Sequence, residues 1–176
     1  MRSRLLIPFS LLSVAWIQEF VDQLFFAGKW NLPLIPRFSW WGLFTAPFSH
    51  ADYGHLISNT LAFLPLSFLV LSRGFKDYIA VWIGVIIMEI PLWLFWTNSF
   101  HGLSGVIFGM VGYLLLIGIL ERSIRTLFLS TLCFCLFGNN LLSLIPFFSP
   151  SGVSWEGHFF GFLGGLGSAW IVRGRH

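Results

Sequence analysis

Three short stretches of the chain carry the residue types of nucleophilic catalysis. They are His55-Leu56-Ile57-Ser58-Asn59, Gly102-Leu103-Ser104-Gly105 and the run from His158 to Gly165. A serine hydroxyl is a weak nucleophile at neutral pH and needs a neighbouring base, which is often a histidine. Side-chain N–H groups of a further histidine and an asparagine can stabilise the oxyanion that forms when a hydroxyl attacks a peptide carbonyl. Together these residue types predict serine-protease chemistry.

The composition predicts that this chemistry takes place in a membrane. Of the 176 residues, 56% are hydrophobic and only 10% are charged, whereas soluble domains carry roughly 25% charged residues. Such a chain cannot cover its surface with polar groups, so its outer solvent is the lipid bilayer. The net charge of +3 is split among short loops, which argues against nucleic acid as a partner. The length suits one domain over residues 1–176.

Six apolar segments are long enough to cross about 30 Å of hydrocarbon as helices. They lie near residues 5–24, 52–72, 77–97, 103–120, 124–146 and 155–172. A helix satisfies its own backbone hydrogen bonds, which lipid cannot do, and the segments lack the alternation of barrel strands. The first segment has no small-residue cleavage site after it and is expected to be a retained span. The sequence therefore predicts an all-α bundle of six transmembrane helices.

The basic residues orient these spans. Eight of the ten fall on one side of a six-span bundle, namely Arg2, Arg4, Arg73, Lys76, Arg122, Arg125, Arg173 and Arg175, and only Lys29 and Arg37 fall on the other. Because cytoplasmic loops are enriched in Lys and Arg, both termini are expected in the cytoplasm, as in a bacterial inner (plasma) membrane. The first outer connector, residues 25–51, is rich in Trp and Phe and contains Pro33, Pro36 and Pro47. We expect it to lie partly embedded beside the bundle, because aromatic side chains favour the membrane interface.

This topology places the polar motifs at one depth. Spans two, four and six all begin on the outer side, and a helix rises ~1.5 Å per residue. His55 and Asn59, Ser104 and His158 are therefore expected within about three turns of the outer surface. The orientation came from Lys and Arg alone, so the agreement is independent of the motifs.

Rows of small residues offer a way to bring Ser104 and His158 together. Gly157, Gly161, Gly165 and Ala169 recur every four residues on span six, and Gly105 and Gly109 do so on span four. Such rows let helix backbones meet in membranes, although ordinary packing glycines give the same pattern. His55 and Asn59, four apart, share a helical face. Alone, that pair is more simply explained by interhelical hydrogen bonds.

The motifs H-x-x-x-N, G-x-S-G and H-x-x-G-x-x-x-G, in this order and on alternate spans, resemble those of the rhomboid intramembrane serine proteases. The resemblance runs from about Trp41 to the end of span six. It implies that Ser104 is the nucleophile, that His158 is its partner in a dyad without aspartate, and that His55 and Asn59 line the oxyanion hole. It gives His50 a supporting role and matches Gly102, Gly161 and Gly165 to structural glycines.

Two positions depart from the family pattern. Many members carry Trp-Arg in the first outer loop, where this chain has Trp41-Gly42. Many also carry a tyrosine beneath the catalytic histidine, where this chain has Phe108, which can stack but has no hydroxyl. Neither change removes a reacting group, so they bear on loop stability and fine tuning.

The function predicted from these motifs is an intramembrane serine endopeptidase that cuts transmembrane segments of other proteins near the outer leaflet, without a cofactor or metal. The alternatives are a catalytically inactive rhomboid-like scaffold that binds membrane helices and a small transporter. A zinc protease would need an H-E-x-x-H helix, which this sequence lacks. Glu89, inside span three, can either line a water-accessible cavity or be a buried, hydrogen-bonded structural residue, which is the simpler interpretation.

Overall fold

The computed structural model describes residues 2–149 and 153–174, so Arg175, one of the eight basic residues above, and His176 lie outside it. The described part of the chain is helical, and its one β feature is an isolated antiparallel bridge between Leu34 and Phe100. The α-helices are α1 (Ile7–Val21), α2 (Gly42–Thr45), α3 (Tyr53–Arg73), α4 (Phe75–Phe95), α5 (Ser104–Glu121), α6 (Ile124–Phe137) and α7 (Trp155–Val172). Short 3₁₀ turns cover Arg2–Leu6, Ala46–Phe48, Gly138–Leu144 and Pro146–Phe148, and a π-turn covers Asp22–Phe26.

Five helical stretches within the described residues are long and apolar enough to cross a membrane. They are Arg4–Phe26, Tyr53–Arg73, Phe75–Phe95, Ser104–Glu121 and Ile124–Leu144, and they match the first five predicted spans to within about two residues. The chain is thus an integral membrane protein whose described part is a bundle of helices. At 18 residues, α7 is as long as α5, but Glu156, His158 and several glycines make it less apolar than the five.

The central helix of the bundle is α5. Two-thirds (67%) of it is buried, against a third or less of the other four candidate spans. It packs on α3, α4, α6 and α7. The helices alternate in direction: α3, α5 and α7 all begin at the end of the bundle where α4 finishes. At this end, which we call the site end, Leu103 N donates to His50 and Trp96 Nε1 donates to Glu156.

The opposite end of the bundle is held by a buried polar network. Arg73 Nη1 and Nη2 donate to the two oxygens of Glu121 at 3.0 and 2.8 Å, and its Nε donates to the Tyr113 hydroxyl at 2.8 Å. Tyr113 in turn donates to Asp77 at 2.5 Å. The network ties the ends of α3 and α5 to the start of α4, and every buried charge in it has a partner, as burial requires.

The connector between α1 and α3 is anchored from both sides. On α1, Gln18 Nε2 donates to the Trp30 carbonyl at 2.8 Å, and in the π-turn after it Asp22 accepts from Trp30 N at 2.7 Å. Near α4, Leu34 and Phe100 exchange backbone hydrogen bonds of 2.9 and 3.3 Å. The connector is therefore a built part of the bundle, while its aromatic rings at Phe38, Trp40 and Trp41 point outward and are 71%, 58% and 45% exposed.

Gly42 explains one departure from the family pattern. A Cβ at this position would lie 2.5 Å from Leu34 Cα and 2.7 Å from the Pro33 carbonyl oxygen. Both neighbours are backbone and cannot swing aside. The space that an arginine would need is therefore filled by the connector folding back on itself.

We predict that Gly42→Ala loosens this connector. The added methyl group overpacks a backbone contact, which costs on the order of 1–3 kcal/mol. The thermal midpoint should fall, and trypsin should cut faster after Lys29 or Arg37, the two basic residues of the connector. Gly167→Ala is the control, because a Cβ at Gly167 has nothing within 4 Å. Equal proteolysis rates for the two variants would contradict the prediction.

Candidate active site

Ser104 opens α5 directly after a tight turn at Gly102. Gly102 has φ +110°, a conformation that favours glycine, and a Cβ there would lie 2.9 Å from His55 Cε1 and 3.3 Å from Asn59 Nδ2. The turn that leads into Ser104 is thus pressed against the two polar side chains of α3. Sequence analysis predicted a structural glycine here, and these contacts give the physical reason for one.

His55 and Asn59 are held by a well-formed helix start. Asp52 caps α3 by accepting a hydrogen bond from His55 N at 2.8 Å. Asn59 is 6% exposed, and its Nδ2 has no hydrogen-bond partner among the described residues. A buried amide donor without a partner is costly in a folded protein. It lies beside Gly102, in the turn that leads into Ser104.

His158 lies one turn into α7, which Ser154 caps by accepting from Gly157 N at 3.3 Å. The imidazole stacks on Phe108 with ring centroids 4.2 Å apart and planes inclined by 25°. Its Nδ1 lies 3.2 Å from the hydroxyl of Ser143, on the 3₁₀ segment Gly138–Leu144 that follows α6. Ser143 and Phe108 together fix the ring plane. Because Ser143 contacts Nδ1, Nε2 is the ring nitrogen that can accept a proton from another group.

Ser143 was missed by sequence analysis. It is one of several serines near helix ends, and it lies 15 positions before His158 in the chain. Only the packing of the segment after α6 against α7 brings the two together. The sequence signal was the polar break Gly138-Asn139-Asn140 within an otherwise apolar run.

The backbones of α5 and α7 meet along their glycine rows. A Cβ at Gly161 would lie 2.9 Å from Gly105 Cα, and one at Gly165 would lie 2.9 Å from Gly109 Cα. This approach brings the start of α7 beside Ser104. Within residues 2–149 and 153–174, however, no hydrogen bond joins Ser104 to His158. Catalytic hydrogen bonds are often long before substrate binds.

His50 supports the turn that precedes Ser104. It is fully buried, its Nε2 accepts a hydrogen bond from Leu103 N at 3.4 Å, and its ring meets that of His55 edge-on at 5.1 Å. Burial, aided by the neighbouring His55 and His101, lowers the pKa of His50 to about 3, while Asp52 acts weakly in the other direction. The ring is therefore neutral at physiological pH, as accepting the Leu103 N–H requires.

This lowered pKa predicts a pH dependence of stability. Below pH 6.5 the unfolded chain takes up a proton that folded His50 excludes, so stability falls as the pH drops from 6.5 towards 3. Glutamine at position 50 keeps an acceptor but does not titrate. We expect His50→Gln to flatten the fall in thermal midpoint between pH 6.5 and 4, but not to abolish it, because burial also lowers the pKa of His101. An unchanged slope would contradict the assignment.

A cavity of about 720 Å³ opens in front of Ser104. Its walls come from the starts of α3, α5 and α7, from α4 and from the segment between α4 and α5. The lining residues include Ser104, His55 and Gly102, together with the acidic residues Asp52, Glu89 and Glu156. Glu89 therefore faces a cavity, the first of the two alternatives. The cavity leaves room for a ligand beside Ser104 and His55.

Several known proteins are similar to this chain in sequence. An uncharacterized protein of Mycobacterium leprae is 28% identical over 93% of this chain and 69% of its own length. A second from Mycobacterium tuberculosis is 31% identical over 75% of this chain and 59% of its own length. Rhomboid protease GluP of Bacillus subtilis is 30% identical over 82% of this chain, which spans 28% of that protein.

A family model, the Rhomboid domain, matches residues 37–175. The match begins in the connector before α2 and takes in Ser104, His158, His55 and Asn59. With the helical membrane bundle and the glycine-packed pair of helices, it identifies the chain as a member of the rhomboid family.

Proposed function

We propose that the protein is an intramembrane serine endopeptidase that cuts transmembrane segments of other membrane proteins. The observation that carries the proposal is the cavity lined by Ser104, His55 and Gly102, with the unpartnered Asn59 amide packed against Gly102. His158, oriented by Ser143 and Phe108, lies on the helix packed directly against α5. Membership of the rhomboid family adds support.

In the proposed reaction, Ser104 Oγ attacks the scissile carbonyl carbon while Nε2 of His158 takes the hydroxyl proton. Asn59 Nδ2, the His55 ring and the Ser104 backbone N–H donate to the oxyanion. His158 then gives its proton to the leaving amine. Water from the cavity attacks the acyl-enzyme, with His158 again taking and returning the proton. The reaction is complete with these side chains and water, and it uses no cofactor.

The proposed topology follows the charges. α7 is the sixth span, the connector between α1 and α3 rests partly in the lipid, and the site end faces outward. The basic residues Arg4, Arg73 and Arg125 support this arrangement, since each contacts a residue at the opposite end: Phe75, Glu121 and Ser72. Both termini are then cytoplasmic in a bacterial inner membrane, and substrates are cut near the outer leaflet.

Ser143 offers a test of how His158 is oriented. Ser143→Ala removes a single hydrogen bond to Nδ1, so we expect kcat to fall about five- to tenfold. The stacking of Phe108 limits the loss. Ser143→Thr should restore activity, because it keeps the hydroxyl. Full activity in Ser143→Ala would show that this contact does not position the base.

A fluorophosphonate probe tests the proposed function directly, because such probes react only with an activated serine. Purified wild-type protein in detergent should be labelled at Ser104, and Ser104→Ala should stay unlabelled. Wild-type protein should also cut a single-span model substrate. Absence of both labelling and cleavage would reject the proposal.

The second candidate is a catalytically inactive scaffold that binds membrane helices. The missing hydrogen bond between Ser104 and His158 among the described residues favours it. A scaffold would bind a model transmembrane segment, but its Ser104 would not react with the probe. The labelling experiment therefore separates the two candidates.

A further inference from the structure

Glu89 is an acidic side chain without an assigned task at the centre of the site. It sits on α4 six residues before Phe95, which places it roughly 9 Å below the site end. It is 4% exposed and lines the same cavity as Ser104. Its Oε1 would lie 2.8 Å from a Cβ on Gly105, so the carboxyl group rests against the residue next to Ser104.

The other two acids of the cavity are already engaged. Asp52 caps α3 through His55 N. Glu156 accepts from Trp96 Nε1 at 3.0 Å and from Ser154 Oγ at 2.9 Å. In the part of the chain that the structure describes, Glu89 has no such donor. No Lys or Arg occurs among the described residues that line the cavity, so no cation there pairs with its carboxyl group.

The Glu89 carboxyl group lies close to the proposed nucleophile and has no hydrogen-bond donor from the protein. A bound ligand could supply one. Burying such a group unpaired is costly, and a ligand that pairs with it would offset that cost. The ligand that enters this cavity is the substrate. A hydrogen bond to a charged group is stronger than one between neutral groups, which favours a cationic partner.

We propose that Glu89 determines specificity, by pairing with a basic side chain of the substrate next to the scissile bond. The inference rests on the proposed protease function and names its substrate class: transmembrane segments that carry Lys or Arg beside the cut. A lysine stem can follow the apolar wall of the cavity while its ammonium group reaches the carboxylate. An acidic residue at the same position would be repelled.

The test is a series of single-span model substrates in which each residue flanking the cut is Ala, Ser, Lys or Glu in turn. For wild-type protein we expect kcat/KM for the best Lys substrate to exceed that of its Ala parent by about ten- to a hundredfold. The Glu substrates should be cut more slowly than the Ala parent. Equal rates for Lys and Ala at both positions would overturn the proposal, and this comparison needs no variant.

Variants then assign the preference to one side chain. Glu89→Gln keeps the shape without the charge, so the ratio of Lys to Ala rates should fall towards one. Glu19→Gln is the matched control, a fully buried acid on α1 that does not line the cavity, and it should keep the wild-type ratio. A Glu89→Gln variant that retains the wild-type ratio would also overturn the proposal.

Labelling of Ser104 separates the two levels of failure. If Ser104 reacts with a fluorophosphonate but the series shows no preference for Lys, only the role of Glu89 is wrong. If Ser104 does not react and no substrate is cut, the protease function itself has failed.

Discussion

Replacing Ser104 with alanine should lower kcat for a model substrate by about a millionfold, which is the loss typical of removing a catalytic serine. His158→Ala should cost nearly as much, because the hydroxyl is a poor nucleophile without its base. The informative variant is the double one. If the two side chains act as a unit, Ser104→Ala/His158→Ala should be no slower than Ser104→Ala alone.

The control for this double-mutant cycle of Ser104 and His158 is Ser58→Ala. Ser58 lies on α3 between His55 and Asn59, and its hydroxyl donates to the His55 carbonyl of its own helix at 2.9 Å. Its loss should change kcat only a few-fold. Single-turnover kinetics in liposomes would measure the wild type and all four variants without a contribution from product release. Independent, multiplying losses from Ser104 and His158 would contradict the dyad.

The spans could be predicted from the sequence because their physical signal is local. Each is an apolar run of about 20 residues that ends at charged or turn-forming residues, so α3 and α5 begin and end within one residue of the predicted bounds. The sixth predicted span has helical bounds at Trp155–Val172. Its glycines and polar residues, which allow close packing and carry the site, also weaken its apolar signal.

The candidate site could be predicted as a set of residues but not as a geometry. Periodicity places His55 and Asn59 on one face, and topology brings Ser104 to the same end. The contact of Ser143 with His158 depends on how the chain after α6 docks on α7. That docking is a tertiary event with no local pattern. The same holds for Gly42, whose tight contacts arise where Pro33 and Leu34 pass over it.

Glu89 is a residue that the sequence singles out but whose role it does not decide. A lone acid within an apolar helix is a functional hypothesis by default, and a structural role was the simpler alternative. What decides between the two is the residue packed against Glu89 on the neighbouring helix α5. This residue is Gly105, which has no side chain to cover the carboxyl group. A motif glycine thus both packs against α7 and exposes Glu89 to the cavity.

Gly165→Ala should abolish the proposed protease activity through geometry alone. The Cβ would fall against the carbonyl group of Gly109 and within 2.9 Å of its Cα, and neither can yield without moving α7 away from α5. We expect overpacking to cost roughly 1–3 kcal/mol of stability. A shift of about 1 Å between Ser104 and His158 should lower kcat about a hundredfold.

The matched control is Gly167→Ala, two residues further along the same helix. A Cβ at Gly167 meets nothing within 4 Å, so the change exchanges glycine for a better helix former, with a gain of up to about 1 kcal/mol. The thermal midpoint should therefore fall for Gly165→Ala and rise slightly for Gly167→Ala, while kcat should fall only for Gly165→Ala, although the chemical change is identical. If both variants keep wild-type stability and rate, the glycine contact between α5 and α7 does not hold Ser104 and His158 in register.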